Sequence, residues 1–325
     1  MIFFDVAIIG GGPIGLACAV EASRAGLSYV VLEKGVLVNA IYHFPTNMTF
    51  FSTSALLEIG EVPFVSIHDK PQRQEALEYY RRVVEKYRLN LHLYEEVLEV
   101  HSSSNDKFEI TTSRSQYLAQ HVIVATGFYD QPNLLNIPGE TLTKVSHYYR
   151  DAFPYYRQKL VIIGAGNSAC DAALEAYYKG AEVTLVVRKD RLKDTIKYWI
   201  KPNIENRLKE GSIKAYFNSI VTAIRPEEID LATPLGSLTL ANDFVLALTG
   251  YHPNFDFLKR LGIELSQNVA HAPVCNMEDF ESSRPNMYVA GVVCAGMETN
   301  KLFIENSRDH ATKIIDHILR KRSSS

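Results

Sequence analysis

Short, nearly continuous apolar runs alternate along the chain with longer segments in which apolar residues recur at helical spacing. The run FFDVAIIG, which ends at Gly10, is typical of a central strand in a parallel sheet. A helix is predicted from Pro13 to Ala25, and SYVVLE is the next predicted strand. Such a strand–turn–helix–strand unit of about 30 residues is the building block of nucleotide-binding α/β folds.

The same unit occurs again in KLVIIGAGNSACDAALEAYYKGAEVTLVVR. A strand is predicted to end at Gly164, a helix to run through Tyr177, and a second strand to end near Val187. An internal repeat of this kind predicts an α/β protein with two Rossmann-like dinucleotide-binding domains.

Two further apolar runs, HVIVATG and DFVLALTG, end at Gly127 and Gly250 and flank the second repeat. They are interpreted as the two crossings between domains. We therefore expect a second domain, 131–250, inserted in a discontinuous first domain made of 1–130 and 251–325.

Three other regions have patterns of their own. A helix is predicted over Gln74–Tyr87, short strands around 97–101 and 107–112, and one helix over most of 301–325. The expected core face of the first helix consists of Leu77, Tyr80, Val84 and Tyr87.

The first glycine turn, Gly10–Gly15, fits the pattern G-x-G-x-x-G. Gly10 permits the tight turn, Gly12 lets the backbone approach a pyrophosphate, and Gly15 lets the helix pack on the strand. The phosphates would lie at the helix N-terminus. Glu33 ends the second strand, where a carboxylate accepts hydrogen bonds from a ribose hydroxyl. The alternative is a tight strand–helix turn without a ligand.

The second turn, Gly164–Ala169, has the form G-x-G-x-x-A, and its second strand ends in cations instead of an acid. Arg188, Lys189 and Lys193 suit an adenosine that carries a 2′-phosphate, although an exposed basic turn would have the same charge. The two turns together predict a plain-ribose dinucleotide and NADPH, which is the arrangement of a flavin and a nicotinamide that exchange hydride.

Composition narrows the classes of function. The net charge of −3 gives no electrostatic support to nucleic-acid binding, and no apolar run is long enough to cross a bilayer. The four cysteines, Cys18, Cys170, Cys275 and Cys294, form no C-x-x-C motif, so neither a zinc ribbon nor a dithiol redox motif is expected. A reducing cytoplasm is the expected location, and no metal is expected.

These features resemble the two-domain flavoproteins typified by low-molecular-weight thioredoxin reductase. In that family the first turn binds FAD and the inserted domain binds NADPH. Two departures stand out: HYYRDAFPYY occupies the place of the family's C-x-x-C, and Val292 replaces an aspartate after AG. Both departures, together with long matches such as FFSTSALLEIGEVPFV and AGVVCAGMETNKLFIEN, make the chain similar to the bacillithiol-disulfide reductase family.

This resemblance implies NADPH-driven reduction of the disulfide of a low-molecular-weight thiol, by a homodimer or higher homo-oligomer. Many family members have a cysteine after the proline of the first turn, where this chain has Ile14. We therefore expect disulfide reduction without a covalent thiol at position 14, either directly from the reduced flavin or through Cys294. His147 is a second candidate catalytic residue, as a proton donor. Cys18, Cys170 and Cys275 are interpreted as structural.

The segment 50–53 is predicted to line the flavin ring. The other positions expected to contact the two cofactors adjoin the turns, the strand ends and the matched segments: Pro13, Ile14, Lys34, Phe51, Ser52, Val97, Ala125, Thr126, Gly127, Gly166, Asn167, Ser168, Gly250, Gly291, Phe303 and Ile304.

Two other functions stay open at this stage. A ferredoxin- or flavodoxin-NADP reductase has the same fold and also lacks C-x-x-C, but such enzymes often place a C-terminal aromatic residue over the flavin, and no aromatic residue follows Phe303 here. The other is a non-catalytic redox-sensing protein that retains both nucleotide sites. Thr141 and Thr143 argue against a Baeyer–Villiger monooxygenase, whose motif needs phenylalanine and glycine at these positions.

Overall fold

The structure is a computed structural model that describes residues 1–103 and 106–323. In this part of the chain the strands are β1 (Ile2–Ile9), β2 (Tyr29–Leu32), β3 (Leu91–His92), β4 (Val97–Ser102), β5 (Phe108–Thr112), β6 (Gln116–Val124), β7 (Gln131–Pro132), β8 (Val145–Ser146), β9 (Lys159–Ile163), β10 (Glu182–Val186), β11 (Lys214–Tyr216), β12 (Ile220–Ile224), β13 (Glu228–Thr233), β14 (Gly236–Ala241), β15 (Phe244–Ala247), β16 (Tyr251–His252) and β17 (Met287–Val289). The α-helices are α1 (Pro13–Arg24), α2 (Asn39–His43), α3 (Arg73–Tyr87), α4 (Asn167–Tyr178), α5 (Lys201–Lys209), α6 (Phe255–Arg260) and α7 (His310–Ser323), with 3₁₀ turns at Ser54–Leu57, Phe153–Tyr155 and Gly291–Ala295.

The chain divides into two compact units. The first consists of Met1–Phe44, Met48–Gln131 and Tyr251–Ser325, and the second of Pro45–Asn47 and Pro132–Gly250. Each unit has a hydrophobic core of its own, one in the first unit and two packed clusters in the second.

The sheet of the first unit has the strand order β3-β2-β1-β6-β5-β4, with β17 paired to β6. Strands β1, β2, β3, β6 and β17 are parallel, and β4 and β5 continue the sheet in antiparallel pairing. The apolar run of β1 is buried at its carboxyl end, as expected for a parallel strand covered on both faces. Its carboxyl end lies beside those of β2 and β6, because the Gly10 N–H donates to the Leu32 carbonyl at 2.9 Å and the Ala125 N–H donates to the Ile9 carbonyl at 2.8 Å.

The second unit repeats this arrangement in a parallel sheet of order β11-β10-β9-β15-β8, next to the antiparallel sheet β12-β13-β14. The Gly164 N–H donates to the Val186 carbonyl at 3.1 Å, and the Leu248 N–H donates to the Ile163 carbonyl at 2.9 Å. The second glycine turn therefore also lies at the carboxyl edge of a parallel sheet. The predicted fold class is confirmed, since both repeats are strand–turn–helix–strand units of a parallel sheet.

Two predictions about helices need correction. The buried face of α3 consists of Ala76, Tyr79, Tyr80 and Val83, whereas Leu77, Val84 and Tyr87 are only half-buried. Hydrogen bonds of two tyrosines explain this orientation of the helix. The Tyr79 hydroxyl donates to the Val62 carbonyl at 3.0 Å, and the Tyr80 hydroxyl donates to the Leu57 carbonyl at 3.1 Å. Both tyrosines therefore face the segment that precedes the helix.

The second correction concerns the last helix, which begins only at His310. The side chain of Asn306 accepts a hydrogen bond from the Phe303 N–H at 2.6 Å and holds the preceding segment in turns. None of the helices in 1–103 and 106–323 has the length and apolarity to cross a membrane.

Candidate functional site

The first glycine turn is built for close approach of the backbone. Gly10 has a φ of 110°, a region that favours glycine, and a β-carbon there would lie 2.5 Å from the Ala125 carbonyl oxygen. A β-carbon at Gly15 would lie 1.9 Å from the Gly10 carbonyl oxygen, so α1 can pack on β1 only with glycine there. These two glycines fix the turn itself.

Gly12 differs, because a β-carbon there would have no atom within 4 Å. It is the N-cap of α1, it makes no side-chain cap, and no acidic residue lies in the first turn of the helix. The start of α1 therefore has free space at the Gly12 β-carbon position and no acidic residue in its own first turn, which suits the binding of a phosphate. The turn fits a dinucleotide pyrophosphate.

Glu33 lies beside this turn and is nearly fully buried. Its carboxylate accepts hydrogen bonds from the Gly11 and Gly35 N–H groups, both at 2.8 Å. Burial raises the pKa of the Glu33 carboxyl, and the two N–H donors oppose that rise. Lys34 forms an ion pair with Asp130 at 2.7 Å, so the loop after β2 is tied to the loop after β6.

The structure brings other expected flavin positions to the same region. Ala125, Thr126 and Gly127 directly follow β6, and Gly291 directly follows the residue after β17. A β-carbon at Gly291 would lie 3.1 Å from the Ile14 side chain. The Gly291 N–H donates to Nδ1 of His310 at 3.2 Å. The carboxyl ends of three parallel strands therefore converge on the first glycine turn.

Two segments that are distant in sequence also meet within the first unit. Ser52 is buried and its hydroxyl donates to the Glu305 carboxylate at 2.5 Å, which joins the predicted ring-lining segment to the segment of Phe303 and Ile304. Phe51 and Phe303 are about half exposed. Val97 lies at the start of β4, paired with Thr112 in the antiparallel part of the sheet.

In the second glycine turn, too, one glycine is closely packed and the other has free space around it. A β-carbon at Gly164 would lie 2.5 Å from the Leu248 carbonyl oxygen, whereas one at Gly166 would approach only the Lys193 side chain, at 3.7 Å. Gly166 caps α4, which likewise has neither a side-chain cap nor an acid in its first turn. The turn fits a second pyrophosphate.

Asn167 ties the basic loop to this turn. Its side chain accepts from the Lys197 N–H at 2.8 Å and donates to the Thr195 carbonyl at 3.2 Å. Lys193 is also anchored, since its N–H donates to the Ala165 carbonyl at 3.0 Å. The Lys193 side chain thus reaches over Gly166, and Arg188 and Lys189 are exposed just after β10.

Three other predicted positions of the second unit lie in or near its sheet. Ser168 and Ala169 are in the first turn of α4, and Gly250 follows β15. The Nε2 atom of His147 lies 3.3 Å from a carboxylate oxygen of Glu140, and both side chains are largely buried.

The cysteines differ sharply in environment. Cys18 and Cys170 are buried, and burial raises the pKa of each thiol to about 12. Cys294 lies in the 3₁₀ turn Gly291–Ala295, well before the last helix, and Gly296, with a φ of 57°, ends this turn. Interaction with Cys294 lowers the pKa of the Cys275 thiol, whereas the same interaction and burial raise the pKa of Cys294.

Several residues of this region carried no sequence signal. Glu305, His310, Asp130 and Cys275 each interact with a predicted position that is distant in sequence, and no short motif marks such pairs. In 1–103 and 106–323, no group of three or more histidine, cysteine or acidic side chains is placed to hold a metal ion.

Two glycine turns with open helix ends, one beside a buried acid and one beside exposed cations, define a two-dinucleotide oxidoreductase. The family model of pyridine nucleotide-disulphide oxidoreductases matches residues 7–291, and the chain belongs to this family. The family's cofactor pair is FAD and NADPH, so both predicted cofactors are confirmed, and the protein is an enzyme of the flavin disulfide oxidoreductase class.

Individual relatives are similar over nearly the whole chain. Bacilliredoxin reductase Bdr of Bacillus subtilis (strain 168) is 40% identical over 317 residues, which are 97% of this chain and 98% of that protein. The solved structure of bacillithiol disulfide reductase Bdr (YpdA) from Staphylococcus aureus is 43% identical, has a TM-score of 0.96, and covers 99% of each chain. Thioredoxin reductase of T. acidophilum has a TM-score of 0.79 at 22% identity over all of both chains, which shows the shared fold. The predicted family resemblance is confirmed.

Proposed function

We propose that this enzyme uses NADPH to reduce the disulfide of a low-molecular-weight thiol of the bacillithiol type. The observation that carries the proposal is the likeness to a bacillithiol disulfide reductase at 43% identity over 99% of both chains. Both dinucleotide turns keep their open helix ends in this chain, so the donor side of such a reaction has what it needs.

The first unit is proposed to hold FAD and the second, inserted unit to hold NADPH. In the first unit the Gly12 turn would hold the pyrophosphate and Glu33 the ribose, while Ala125–Gly127 and Gly291 flank the same turn. The Ser52–Glu305 pair would place the ring-lining segment. FAD would supply the redox centre, and the chain's own groups would bind and orient it.

In the second unit, we assign the basic side chains after β10 to two different phosphate groups of NADPH. The Gly166 turn and Lys193 would hold the pyrophosphate of NADPH, and Arg188 and Lys189 its 2′-phosphate. Arg188 and Lys189 form no ion pair with a carboxylate of the described residues, whereas Arg191 lies 3.8 Å from Asp194. His147, held by Glu140, is proposed as a proton donor.

We further propose that the enzyme acts in the cytoplasm as a homodimer or a higher homo-oligomer. All four cysteines are free thiols, as expected in a reducing compartment. The assembly rests on the family resemblance, and the solution mass measured by light scattering tests it.

The function is tested by NADPH oxidation, measured without oxygen against a panel of acceptors. The panel contains oxidised bacillithiol, oxidised glutathione, ferredoxin, flavodoxin and oxidised bacilliredoxin, the acceptor in the name of the Bacillus subtilis relative. We expect rapid NADPH consumption with bacillithiol disulfide, and none in a Gly166→Val control that retains flavin. Turnover with ferredoxin or flavodoxin alone would replace the proposal with the ferredoxin-NADP reductase activity.

A further inference from the structure

The turn that follows β3 brackets Glu33, the acid beside the first glycine turn. The Glu33 N–H donates to the His92 carbonyl at 2.9 Å, and the Glu95 N–H donates to the Glu33 carbonyl at 2.9 Å. The Tyr94 N–H donates to the Gly35 carbonyl at 3.1 Å, and the Gly35 N–H in turn donates to the Glu33 carboxylate. The turn therefore holds the backbone on both sides of Glu33.

Glu95 anchors this turn through its side chain. The side chain is 5% exposed, and its carboxylate accepts hydrogen bonds from the Thr112 hydroxyl at 2.7 Å and the Tyr117 hydroxyl at 2.8 Å. Nδ1 of His92 lies 3.1 Å from the second carboxylate oxygen. Thr112 ends β5 and Tyr117 lies in β6, so the carboxylate joins the turn to two strands that are not neighbours of β3 in the sheet.

The Glu95 carboxyl is held in its ionised form. Burial raises its pKa, but the hydrogen bonds from Thr112, Tyr117 and His92 together bring the pKa below its ordinary value. A buried carboxylate is costly unless its oxygens are hydrogen-bonded, and here partners reach both of them. Loss of the carboxylate would therefore leave two hydroxyls without this acceptor and release the turn from the sheet.

We propose that Glu95 is a positioning residue for the ribose site of the first unit: it fixes the turn after β3, and this turn fixes the direction in which the Glu33 carboxylate meets the ribose hydroxyls of FAD. This inference rests on the proposed function, in which Glu33 holds that ribose. Hydrogen bonds weaken steeply as they depart from linearity, so a small rotation of Glu33 weakens its ribose contacts while the carboxylate remains. Glu95 acts without touching FAD, because protein donors already occupy its oxygens.

A double-mutant cycle on FAD release tests this inference. Release from the flavin-loaded enzyme is measured by rapid filtration after dilution into flavin-free buffer, for wild type, Glu33→Ala, Glu95→Ala and the double variant. We expect Glu95→Ala to release FAD at least ~10-fold faster than wild type, which is the scale of one lost hydrogen bond to a charged group. In the Glu33→Ala background the same substitution should change the rate little, because the two residues act on one contact.

Further variants separate positioning from a general loss of structure. Glu95→Gln keeps the shape of the side chain and a carbonyl acceptor for the two hydroxyls, so it should release FAD at close to the wild-type rate. Glu281→Ala is the matched control, because Glu281 is a carboxylate of the same unit that pairs with Lys321 at 2.7 Å, and it should also behave as wild type. Tyr117→Phe removes one donor to Glu95 and replaces Glu95→Ala in the cycle if that variant retains no flavin.

The outcomes separate the inference from the proposed function. If Glu95→Ala releases FAD at the wild-type rate, or accelerates release equally with and without Glu33, the inference is overturned and the function stands. A similar acceleration in Glu281→Ala has the same meaning. If Glu33→Ala retains FAD as wild type does, the ribose contact and the inference both fail, whichever acceptor the enzyme reduces. Turnover with ferredoxin or flavodoxin alone contradicts the proposed substrate, yet a non-additive cycle still supports the role of Glu95.

Discussion

The Glu33 carboxylate accepts a hydrogen bond from the Gly11 N–H at 2.8 Å, across 22 residues of sequence. The acid at the end of β2 is therefore fixed against the glycine turn by the protein itself. A carboxylate has about four acceptor sites, so oxygen lone pairs remain for ribose hydroxyls. The proposed contacts to the ribose and to the pyrophosphate of FAD would thus be positioned together.

Gly12→Val and Gly166→Val are predicted to remove one cofactor each. Both glycines have backbone angles open to valine and free space for a side chain, so the fold should survive while the phosphates are excluded. Gly12→Val should lose FAD, and Gly166→Val should retain FAD and lose NADPH binding. Flavin absorbance per chain and nucleotide titration measure the two effects, and each variant is the control for the other. Full flavin in Gly12→Val would show that this turn does not hold FAD.

Replacing Arg188 and Lys189 with neutral residues is predicted to weaken the binding of NADPH but not that of NADH. Each cation would contribute a charge-assisted hydrogen bond to the 2′-phosphate, worth about 1.5–3 kcal/mol before solvent screening at this exposed site. We expect the apparent constant for NADPH to rise at least ~10-fold in R188A/K189A, while that for NADH stays the same. R191A is the control. Equal losses for both nucleotides would contradict a 2′-phosphate site.

Lys193→Gln is predicted to act differently from the neighbouring cations. The Lys193 side chain approaches the Gly166 position, where a β-carbon would lie 3.7 Å from it. Its charge should therefore act on the pyrophosphate that NADPH and NADH share. Steady-state constants for the two nucleotides should rise by similar factors, with selectivity unchanged. A loss confined to NADPH would return Lys193 to the 2′-phosphate cluster.

His310 is predicted to make the stability of the protein fall on acidification. The ring is buried and stacked on Phe280 at 3.7 Å, and burial lowers its pKa from 6.5 to about 4. Because the folded pKa lies below the unfolded one, the stabilisation is complete above pH 6.5 and is lost as the pH falls toward 4. Between pH 7 and pH 5 the ionisation of His310 should lower the free energy of unfolding by about 2 kcal/mol.

Urea unfolding of the flavin-loaded protein at pH 7 and at pH 5 measures this difference in the free energy of unfolding. His310→Gln should show a smaller loss of stability on acidification than wild type. His101→Gln, at a side chain that is 66% exposed, is the control and should keep the wild-type difference. An unchanged pH dependence in His310→Gln would assign the acid sensitivity to other groups.

The fold and the family were predictable because their signals are local. A strand, a glycine turn, a helix and an acid or a cation follow one another within a single continuous segment, and this happens twice. Backbone demands at Gly10 and Gly15 are met by residue type alone. The fold class, the family and both cofactors are confirmed, whereas the roles of individual residues remain predictions.

The remaining features depend on contacts that sequence spacing does not encode. Ser52 meets Glu305 across 253 residues, and the orientation of α3 follows from carbonyl partners of its tyrosines in the chain before it. Cys275 carried no sequence signal, because Cys294, which lowers the pKa of its thiol, belongs to another segment of the chain.

The late position of β17 has a consequence for how the chain is made. Val289 pairs with Val124 in the central sheet of the first unit, yet the whole continuous part of the second unit lies between them in the sequence. A ribosome adding about 5–20 residues per second therefore completes the inserted unit first. Until Met287–Val289 emerges, the apolar edge of β6 is an open template for pairing with other chains. Nascent chains stalled before β17 should accordingly recruit chaperones through their first unit while their second unit is already resistant to protease.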